Sequence, residues 1–361
     1  MLTPDGALIS EIEEQRPRWP VGLLSHAERD RLIERALLGL YRWYLDRSQA
    51  LRNWNPDRSF DWRRLRTDHS PELNMVIEGF YAVEQYVPDY TRRTVEISRR
   101  SYARSNFQIR WGAEEERHAQ LWRNAILFAR FRSPRWIEEY GESLRVREWQ
   151  LPWDDAFHMT FYALIQERAT QLNYLNTAII ARGRSPRPEL AGDRDPVLEQ
   201  AAVTIAADEV AHYGFFLELT RLYLYYYPAQ TLEALRDVVA HFAMPGMDLL
   251  SNIERLSDLL YRTGIYGPRQ YARDVLQVVL ENLGVAGRRE LEQGVRRSRQ
   301  VPDGQGSLRD TALCSALDYG AVEAAVRRLF ARVEAFEQET GLADVDPTEF
   351  VPSGRAPPAR G

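Results

Sequence analysis

The segment from Phe157 to Ala181 constrains the fold of this chain more than any other stretch of the sequence. Glu167 is its only acidic residue, and Arg168 carries its only other formal charge. Successive residues of an α-helix are turned by about 100°, so Arg168 points away from the uncharged face on which Glu167 lies. An ionised carboxylate buried alone costs several kcal/mol unless it is protonated, paired or bound to a metal. The segment therefore predicts a buried helix whose one carboxylate needs a cation, with an arginine of a neighbouring helix as the alternative partner.

The remainder of the chain has mostly the apolar spacing of helices and few alternating, strand-like runs. Long helices with short connections are typical of a bundle, so we expect an all-α fold. The expected organisation is an N-terminal extension (1–25), one large helical domain (26–340) and a flexible tail rich in proline and glycine (341–361). The predicted helices lie near residues 26–52, 71–106, 112–131, 134–145, 155–182, 195–226, 229–243, 247–263, 267–285 and 318–340.

The composition excludes several classes of protein. The chain has 361 residues, of which 44% are apolar and 27% charged, as in ordinary globular proteins with a large core. A net charge of −5 does not suggest a nucleic-acid binder. Cys314 is the single cysteine, which excludes an intrachain disulfide and fits a reducing compartment. Since we find no secretory signal and no apolar run long enough to span a bilayer, we expect a cytoplasmic protein without a transmembrane segment.

Two E-x-x-H motifs point to a metal site: Glu115 with His118, and Glu209 with His212. Residues three apart on a helix face the same way, so each motif offers one carboxylate and one imidazole to a single point. Helical bundles that bind two metal ions use two such motifs and one glutamate from each of two further helices. Glu167 is the first candidate for these additional glutamates. Carboxylate and imidazole ligands without thiolate suit iron or manganese better than structural zinc.

The last ligand must come from another helix, and two glutamates compete for that position. Glu84 lies four residues before Pro88, which lacks the N–H that would bond to the Glu84 carbonyl, so we expect a kink there. A distorted helix beside a metal site favours Glu84 as the ligand. Glu78, which lies on another face, stays an alternative ligand.

Thr170 lies one turn after Glu167. Its hydroxyl either bonds to its own helix backbone or serves as a proton or oxygen contact beside the metals.

A series of motifs over about residues 40–285 resembles the soluble acyl-acyl-carrier-protein desaturases of the stearoyl-carrier-protein type. The stretches that carry the resemblance are Trp54-Asn-Pro56 with Phe60, Glu84 to Tyr90, Trp111 to His118, Gln166 to Thr170, Ala206 to His212, Met244-Pro245, and Ile265-Tyr266 through Asn282. The chain departs from the plant enzymes in three places. The stretch between Glu84 and Glu115 is shorter, the connection through residues 182–196 is longer, and the last 75 residues match poorly.

The resemblance implies a ferritin-like four-helix di-iron bundle inside a larger single helical domain, usually in a homodimer. It favours Glu84 over Glu78, because Glu84 occupies the first-ligand position of the family. The implied cofactor is two iron ions, with manganese as a substitute, and the implied ligands are Glu84, Glu115, His118, Glu167, Glu209 and His212. Thr170 matches the hydroxyl associated with oxygen activation. A proposed path for electrons to the irons matches Trp54, His118 and Asp208.

The reaction implied by the resemblance is the O2-dependent desaturation of a fatty-acyl chain carried as a thioester on acyl carrier protein. A ferredoxin-type protein would supply the electrons. The rival interpretations are another di-iron alkyl oxidase such as a hydroxylase, and a non-enzymatic, ferritin-like iron-binding protein. The small subunit of ribonucleotide reductase fits less well, because Trp122 stands where that family places its radical tyrosine.

The basic residues bear on how an acidic carrier protein would dock. The sequence contains no lysine, so all 47 basic residues are arginines. The candidate docking patch is Arg92, Arg93, Arg99, Arg100 and Arg104, and the alternative is an ordinary solvated helix face.

Overall fold

The structure is a computed structural model that describes residues 24–247, 249–250, 252–298 and 317–345. Most of the predicted N-terminal extension and most of the predicted tail lie outside these residues, as does Cys314. Within the described ranges the chain is helical, and the one β-type contact is an isolated bridge between Val285 and Leu317. The predicted all-α fold class is confirmed.

The helices follow the chain in the order of their numbers. They are α1 (His26–Leu51), α2 (Pro71–Val83), α3 (Val87–Ser98), α4 (Tyr102–Ala129), α5 (Pro134–Leu144), α6 (Ala156–Ala181), α7 (Pro196–Tyr226), α8 (Pro228–His241), α9 (Ile253–Thr263), α10 (Pro268–Gln270), α11 (Gln277–Asn282), α12 (Arg288–Ser298) and α13 (Tyr319–Glu339). A π-helical turn, Tyr271–Leu276, connects α10 to α11, and short 3-10 turns include Glu84–Tyr86 between α2 and α3.

The core of the molecule lies among α2, α4, α6 and α7. Helix α6 packs along α7, α7 contacts α4, and α4 contacts both α2 and α3. The large side chains Trp111, Trp122 and Phe161 are fully buried in this core. Two of the long helices begin at acidic caps: the Asp155 carboxylate accepts hydrogen bonds from the first backbone N–H groups of α6, and Asp195 does the same for α7. Such caps satisfy N–H groups that have no partner inside the helix.

The single helix predicted over residues 71–106 is wrong, because the chain breaks twice in this region. The first break is the 3-10 turn at Glu84, where the kink expected from Pro88 occurs. The second lies at Ser101, whose side chain accepts a hydrogen bond from the backbone N–H of Arg104 and caps α4. Helix α4 therefore begins at Tyr102, ten residues before the predicted start.

Three further differences concern the region after α8. The predicted helix 247–263 begins only at Ile253, because the preceding residues form turns around Gly246, whose φ is +69°. The helix predicted over 267–285 contains the π-helical turn. Helix α12 was not predicted.

Within the described ranges no helix is both long and apolar enough to cross a membrane.

Candidate metal centre

The structure brings together all six residues that were predicted as metal ligands. They come from four places in the fold: the 3-10 turn after α2 contributes Glu84, α4 contributes one E-x-x-H pair, α6 contributes Glu167, and α7 contributes the other pair. They form two groups, in each of which one potential ligand atom per residue lies within 4.8 Å of the others. The groups are Glu84, Glu115, His118 and Glu209, and Glu115, Glu167, Glu209 and His212.

Glu115 and Glu209 belong to both groups, which is the arrangement needed for two neighbouring ions that share two carboxylates. The Nδ1 atom of His212 lies 3.0 Å from Glu115 Oε1 and 3.2 Å from Glu167 Oε2. On the other side, Nδ1 of His118 lies 3.3 Å from Glu115 Oε2 and 3.5 Å from Glu209 Oε1. Both imidazoles therefore face the shared carboxylates with the same ring atom.

Several of the atoms that face the centre have no hydrogen-bond partner among the described residues. These atoms are Glu115 Oε1, His118 Nδ1, Glu167 Oε1 and both carboxylate oxygens of Glu209. All of them are buried, and a buried polar atom without a partner is costly. Bound cations would give each of these lone pairs a partner, so the donor set fits a metal site.

The pKa values show that charge is crowded in the centre. Burial and the neighbouring Glu115 raise the pKa of Glu84 to about 8. Burial also raises the pKa values of Glu167 and Glu209 above the ordinary range of a glutamate. Burial opposes ionisation of Glu115 as well, but His118 and His212 outweigh it and lower its pKa to about 2. Without cations some of these carboxylates hold protons, which metal ions must displace when they bind.

A second layer of carboxylates orients the two histidines. The Nε2 atom of His118 lies 3.3 Å from Asp208 Oδ2, and that of His212 lies 2.9 Å from Glu114 Oε2. Each of the two helices supplies the carboxylate for the other helix's histidine: Asp208 on α7 contacts His118 on α4, and Glu114 on α4 contacts His212 on α7. A carboxylate at Nε2 fixes the tautomer and the ring orientation, and leaves Nδ1 to face the metals.

Each outer carboxylate has its own set of donors. Asp208 accepts a hydrogen bond from the Trp54 indole N–H at 2.9 Å and lies 3.1 Å from Arg52 Nε. The Trp54 ring is parallel to the His118 ring, with centroids 6.1 Å apart, so the predicted series Trp54, Asp208 and His118 is continuous in space. Glu114 accepts hydrogen bonds from the side chains of Tyr44, Ser48 and Arg110.

Glu114 was not predicted from the sequence, although a signal for it was present. In both motifs an acid directly precedes the glutamate: Glu114 before Glu115, and Asp208 before Glu209. The shared pattern is therefore an acid followed by E-x-x-H. The first acid supports the histidine of the other motif.

The competition between Glu84 and Glu78 has a clear geometric outcome. Glu78 forms an ion pair with Arg132, whose Nη2 lies 2.9 Å from Glu78 Oε2, and it is in neither group of potential ligands. Glu84 is buried in the centre, where the Tyr174 hydroxyl donates a hydrogen bond to its Oε1 at 2.5 Å.

An apolar cavity of about 330 Å³ lies beside the centre. Its wall includes Val83, Thr170 and Tyr174, which are close in sequence to the central glutamates, and it extends to the exposed Tyr261. The Thr170 hydroxyl donates to the backbone carbonyls of Gln166 and Glu167 at 3.1 and 3.2 Å. Thr170 thus bonds to its own helix and also lines the cavity, so the two interpretations of this residue are compatible.

The predicted arginine patch is not a uniform cationic surface. Arg92 forms an ion pair with Glu148, and Arg93 pairs with Glu96. The Arg104 side chain is partly buried and donates a hydrogen bond to the Tyr223 hydroxyl. Three of the five arginines are exposed, Arg92, Arg99 and Arg100, and one of these, Arg92, is already paired with an acid.

Comparisons with known proteins show which family the chain resembles. A family model described as "Fatty acid desaturase" matches residues 67–303. DesA1 of Mycobacterium tuberculosis, assigned as an acyl-[acyl-carrier-protein] desaturase, is 24% identical over 237 residues, which are 63% of this chain and 64% of DesA1. The chloroplastic stearoyl-[acyl-carrier-protein] 9-desaturase 5 of Arabidopsis thaliana is 29% identical over 184 residues, 48% of this chain and 43% of that protein. The chain therefore spans less than two thirds of the length of these relatives.

Among solved structures, the X-ray structure of DesA2 from Mycobacterium tuberculosis H37Rv, also assigned as an acyl-ACP desaturase, superposes with a TM-score of 0.44 at 18% identity. The superposition covers 70% of this chain and 93% of DesA2. The family match over residues 67–303 includes more than half of the chain and all six residues of the centre. The chain belongs to the fatty acid desaturase family.

Proposed function

We propose that this chain desaturates a fatty-acyl chain that is carried as a thioester on acyl carrier protein, using dioxygen and two iron ions. The observation that carries the proposal is a buried cluster of four glutamates and two histidines, with unpartnered inward-facing atoms, beside an apolar cavity. The names of the relatives support the substrate, since both DesA1 and the plant protein are named as desaturases of acyl-[acyl-carrier-protein].

In this proposal Glu84 and His118 would hold one iron, Glu167 and His212 would hold the other, and Glu115 and Glu209, which belong to both groups, would serve both ions. Four carboxylates balance the charge of two divalent ions, so the centre can be buried without net charge. Manganese suits the same oxygen and nitrogen donors and is the expected substitute. When bound, two ferrous ions would supply the electrons that activate dioxygen. Activated dioxygen is needed because acid–base groups alone cannot break alkyl C–H bonds.

The protein's own residues position the substrate and exclude water. The apolar wall that includes Phe80, Val83 and Leu256 would hold the alkyl chain beside the centre and strengthen electrostatic interactions there. Tyr174 fixes Glu84 by its hydrogen bond. Thr170 is the hydroxyl on the cavity wall nearest in sequence to Glu167, and we propose that it contacts the reacting groups.

Electrons would enter through Trp54 and Asp208 to His118. This role is supported by the hydrogen bond from the indole to Asp208 and by the parallel rings of Trp54 and His118. The reductant in the proposal is a ferredoxin-type protein.

We further propose a cytoplasmic homodimer. Helices α6 and α7 expose apolar side chains in rows at helical spacing: Leu175 and Ile179 on α6, and Val203 and Val210 on α7. Each of these residues is 37–48% exposed, and burial of these side chains against a second copy would remove them from water.

Product analysis tests the proposal. The purified chain is loaded with ferrous iron and supplied with dioxygen, a reduced ferredoxin-type donor and acyl-loaded carrier protein. We expect the mass of the acyl group to fall by two hydrogens. Addition of one oxygen atom would instead identify the hydroxylase-type rival, and uptake of many irons without a product would identify iron storage. Glu167→Ala is the matched inactive control, and activity equal to that of the wild type in this variant would disprove the ligand assignment.

A further inference from the structure

A second cavity, of about 330 Å³, lies against the 3-10 turn that contains Glu84. Residues of α2, of the turn, of α3, of α4 and of α5 form its wall. Most of these residues are polar or charged, and none of them lines the apolar cavity beside the centre. This polar cavity is therefore a separate approach to the metal centre.

Glu84 lines the polar cavity, and its carboxylate is also in one of the two groups of potential ligands. None of the other five residues of the centre lines either cavity. Glu84 is 5% exposed, whereas those five are 0–2% exposed. The Tyr174 hydroxyl donates to Oε1 of Glu84, and Oε2 accepts no hydrogen bond from the described residues. The centre is thus least enclosed at the polar cavity.

The chemistry of the polar cavity suits a divalent cation in transit. Moving an ion out of water into apolar surroundings is very costly, so the apolar cavity is a poor path to the centre. The polar cavity instead offers carboxylate and amide oxygens, which can replace the water around a divalent ion. The lining residues with such side chains, besides Glu84, are Gln85, Glu116, Gln120, Glu138 and Glu142.

Negative charge outweighs positive charge at the entrance of the polar cavity. Three of its acids are exposed and form no ion pair with a described residue: Glu116, Glu138 and Glu142. Arg123 and Arg145 are the cations of the wall, and Arg145 donates a hydrogen bond to Gln85. Even without Glu84 the acids outnumber the arginines by three to two. The cavity therefore favours the approach of an ion of charge +2.

We infer that metal ions enter the centre through the polar cavity, with Glu138 and Glu142 attracting them at its entrance and Glu84 as the first ligand of the centre that they meet. The inference rests on the metal binding in the proposed function but not on desaturation. A residue of the path changes the height of the barrier that an ion crosses in both directions. The rates of loading and release then change by the same factor, and the equilibrium affinity stays constant. A residue that holds the bound ion changes the affinity instead.

Stopped-flow mixing of the metal-free chain with cobalt(II) ions measures loading, because the visible absorption of cobalt changes when protein ligands replace its water. Excess chelator then measures release, and titration gives the affinity. Glu138→Gln and Glu142→Gln should each slow loading about threefold at low ionic strength and less in high salt, because salt screens charges at the surface. Glu139→Gln is the matched control, since Glu139 is exposed on the same helix, pairs with Arg135 and lies outside the cavity.

Narrowing the cavity gives a second test. Ala119 lines the cavity on α4, and Ala119→Phe should slow loading and release equally, by about tenfold, which a barrier higher by ~1.4 kcal/mol produces. An unchanged affinity shows that the centre of this variant is intact. Ala113→Phe is the matched control, because Ala113 is exposed on the same helix and does not line the cavity. It should load as fast as the wild type.

The possible results separate this inference from the proposed function. Wild-type loading rates in Ala119→Phe and in both glutamine variants would overturn the inference, and so would equal slowing in the matched controls. A weaker affinity in either glutamine variant would make that residue a ligand and would also overturn it. If loading slows as expected but the loaded chain desaturates no acyl group, the inference stands and the proposed function fails. If the wild type binds no cobalt, both are wrong.

Discussion

Replacing Glu114 with glutamine should weaken metal binding on the His212 side of the centre. Glutamine keeps the shape of the side chain but exchanges an acceptor oxygen for a donating amide. The neighbours of Glu114 are donors: His212 at 2.9 Å, Arg110 at 3.0 Å, and the hydroxyls of Tyr44 and Ser48. At least one charge-assisted hydrogen bond is therefore lost, which costs about 1.5–3 kcal/mol. At about 1.4 kcal/mol per factor of ten, this corresponds to roughly 10- to 100-fold weaker binding, the range typical of partners of metal-bound histidines.

Anaerobic calorimetric titration with ferrous ions measures this effect. We expect the wild type to bind two ions per chain, and the variant to keep one strong site while the other weakens. Glu116→Gln is the matched control, because Glu116 is on the same helix but exposed and outside both groups of potential ligands. Equal titration curves for the wild type and Glu114→Gln would refute the argument that the outer carboxylate positions His212. So would equal losses in the Glu114 and Glu116 variants.

Three further predictions follow from contacts around the centre. Trp54→Phe removes the N–H that donates to Asp208, so steady-state turnover with a ferredoxin-type donor should fall by about tenfold or more, while a single turnover of chemically reduced protein persists. Because burial raises the pKa of Glu84 to about 8, metal binding near pH 7 should release protons, which calorimetry in buffers of different ionisation enthalpy counts. The metal affinity, measured separately at a series of pH values, should rise with pH up to about 8. Burial opposes ionisation of Asp195, but hydrogen bonds from His69 and from the chain lower its pKa. The stability that Asp195 adds is then present above its ordinary pKa of about 3.9 and lost below it, so urea unfolding of Asp195→Asn should show a weaker loss at acid pH than the wild type.

The sequence predicted that the six residues of the inner cluster lie close together, because helical geometry turns spacing into position. Residues three apart in each E-x-x-H pair necessarily face one point, and a lone acid in an uncharged helix necessarily needs a partner. Glu84 was harder, because two glutamates in one region differ only in which face they occupy. Only the family resemblance favoured Glu84 over Glu78 at the sequence level. In the structure Glu78 pairs with Arg132 instead of facing the centre, which is the physical reason that it is not among the potential ligands.

The parts that were missed depend on contacts between distant elements. Glu114 is turned by about 100° from Glu115, so the E-x-x-H spacing does not place it at the centre, and its contact with His212 depends on how α7 packs against α4. The break before α4 involves Ser101, which caps the helix by accepting from the Arg104 N–H and also donates a hydrogen bond to Glu34 of α1, a contact that the sequence does not show.

A single-turnover experiment tests the central claim most directly. The chain is loaded with ferrous ions without air, mixed with acyl-loaded carrier protein, exposed to dioxygen, and its acyl product is analysed by mass spectrometry. Two ferrous ions give two electrons and the forming double bond gives two more, which together reduce one dioxygen to water. We predict one double bond for each pair of ferrous ions in the wild type and none in Glu167→Ala. Product formed in the Glu167 variant, or a saturated acyl chain in the wild type despite iron oxidation, would contradict the account.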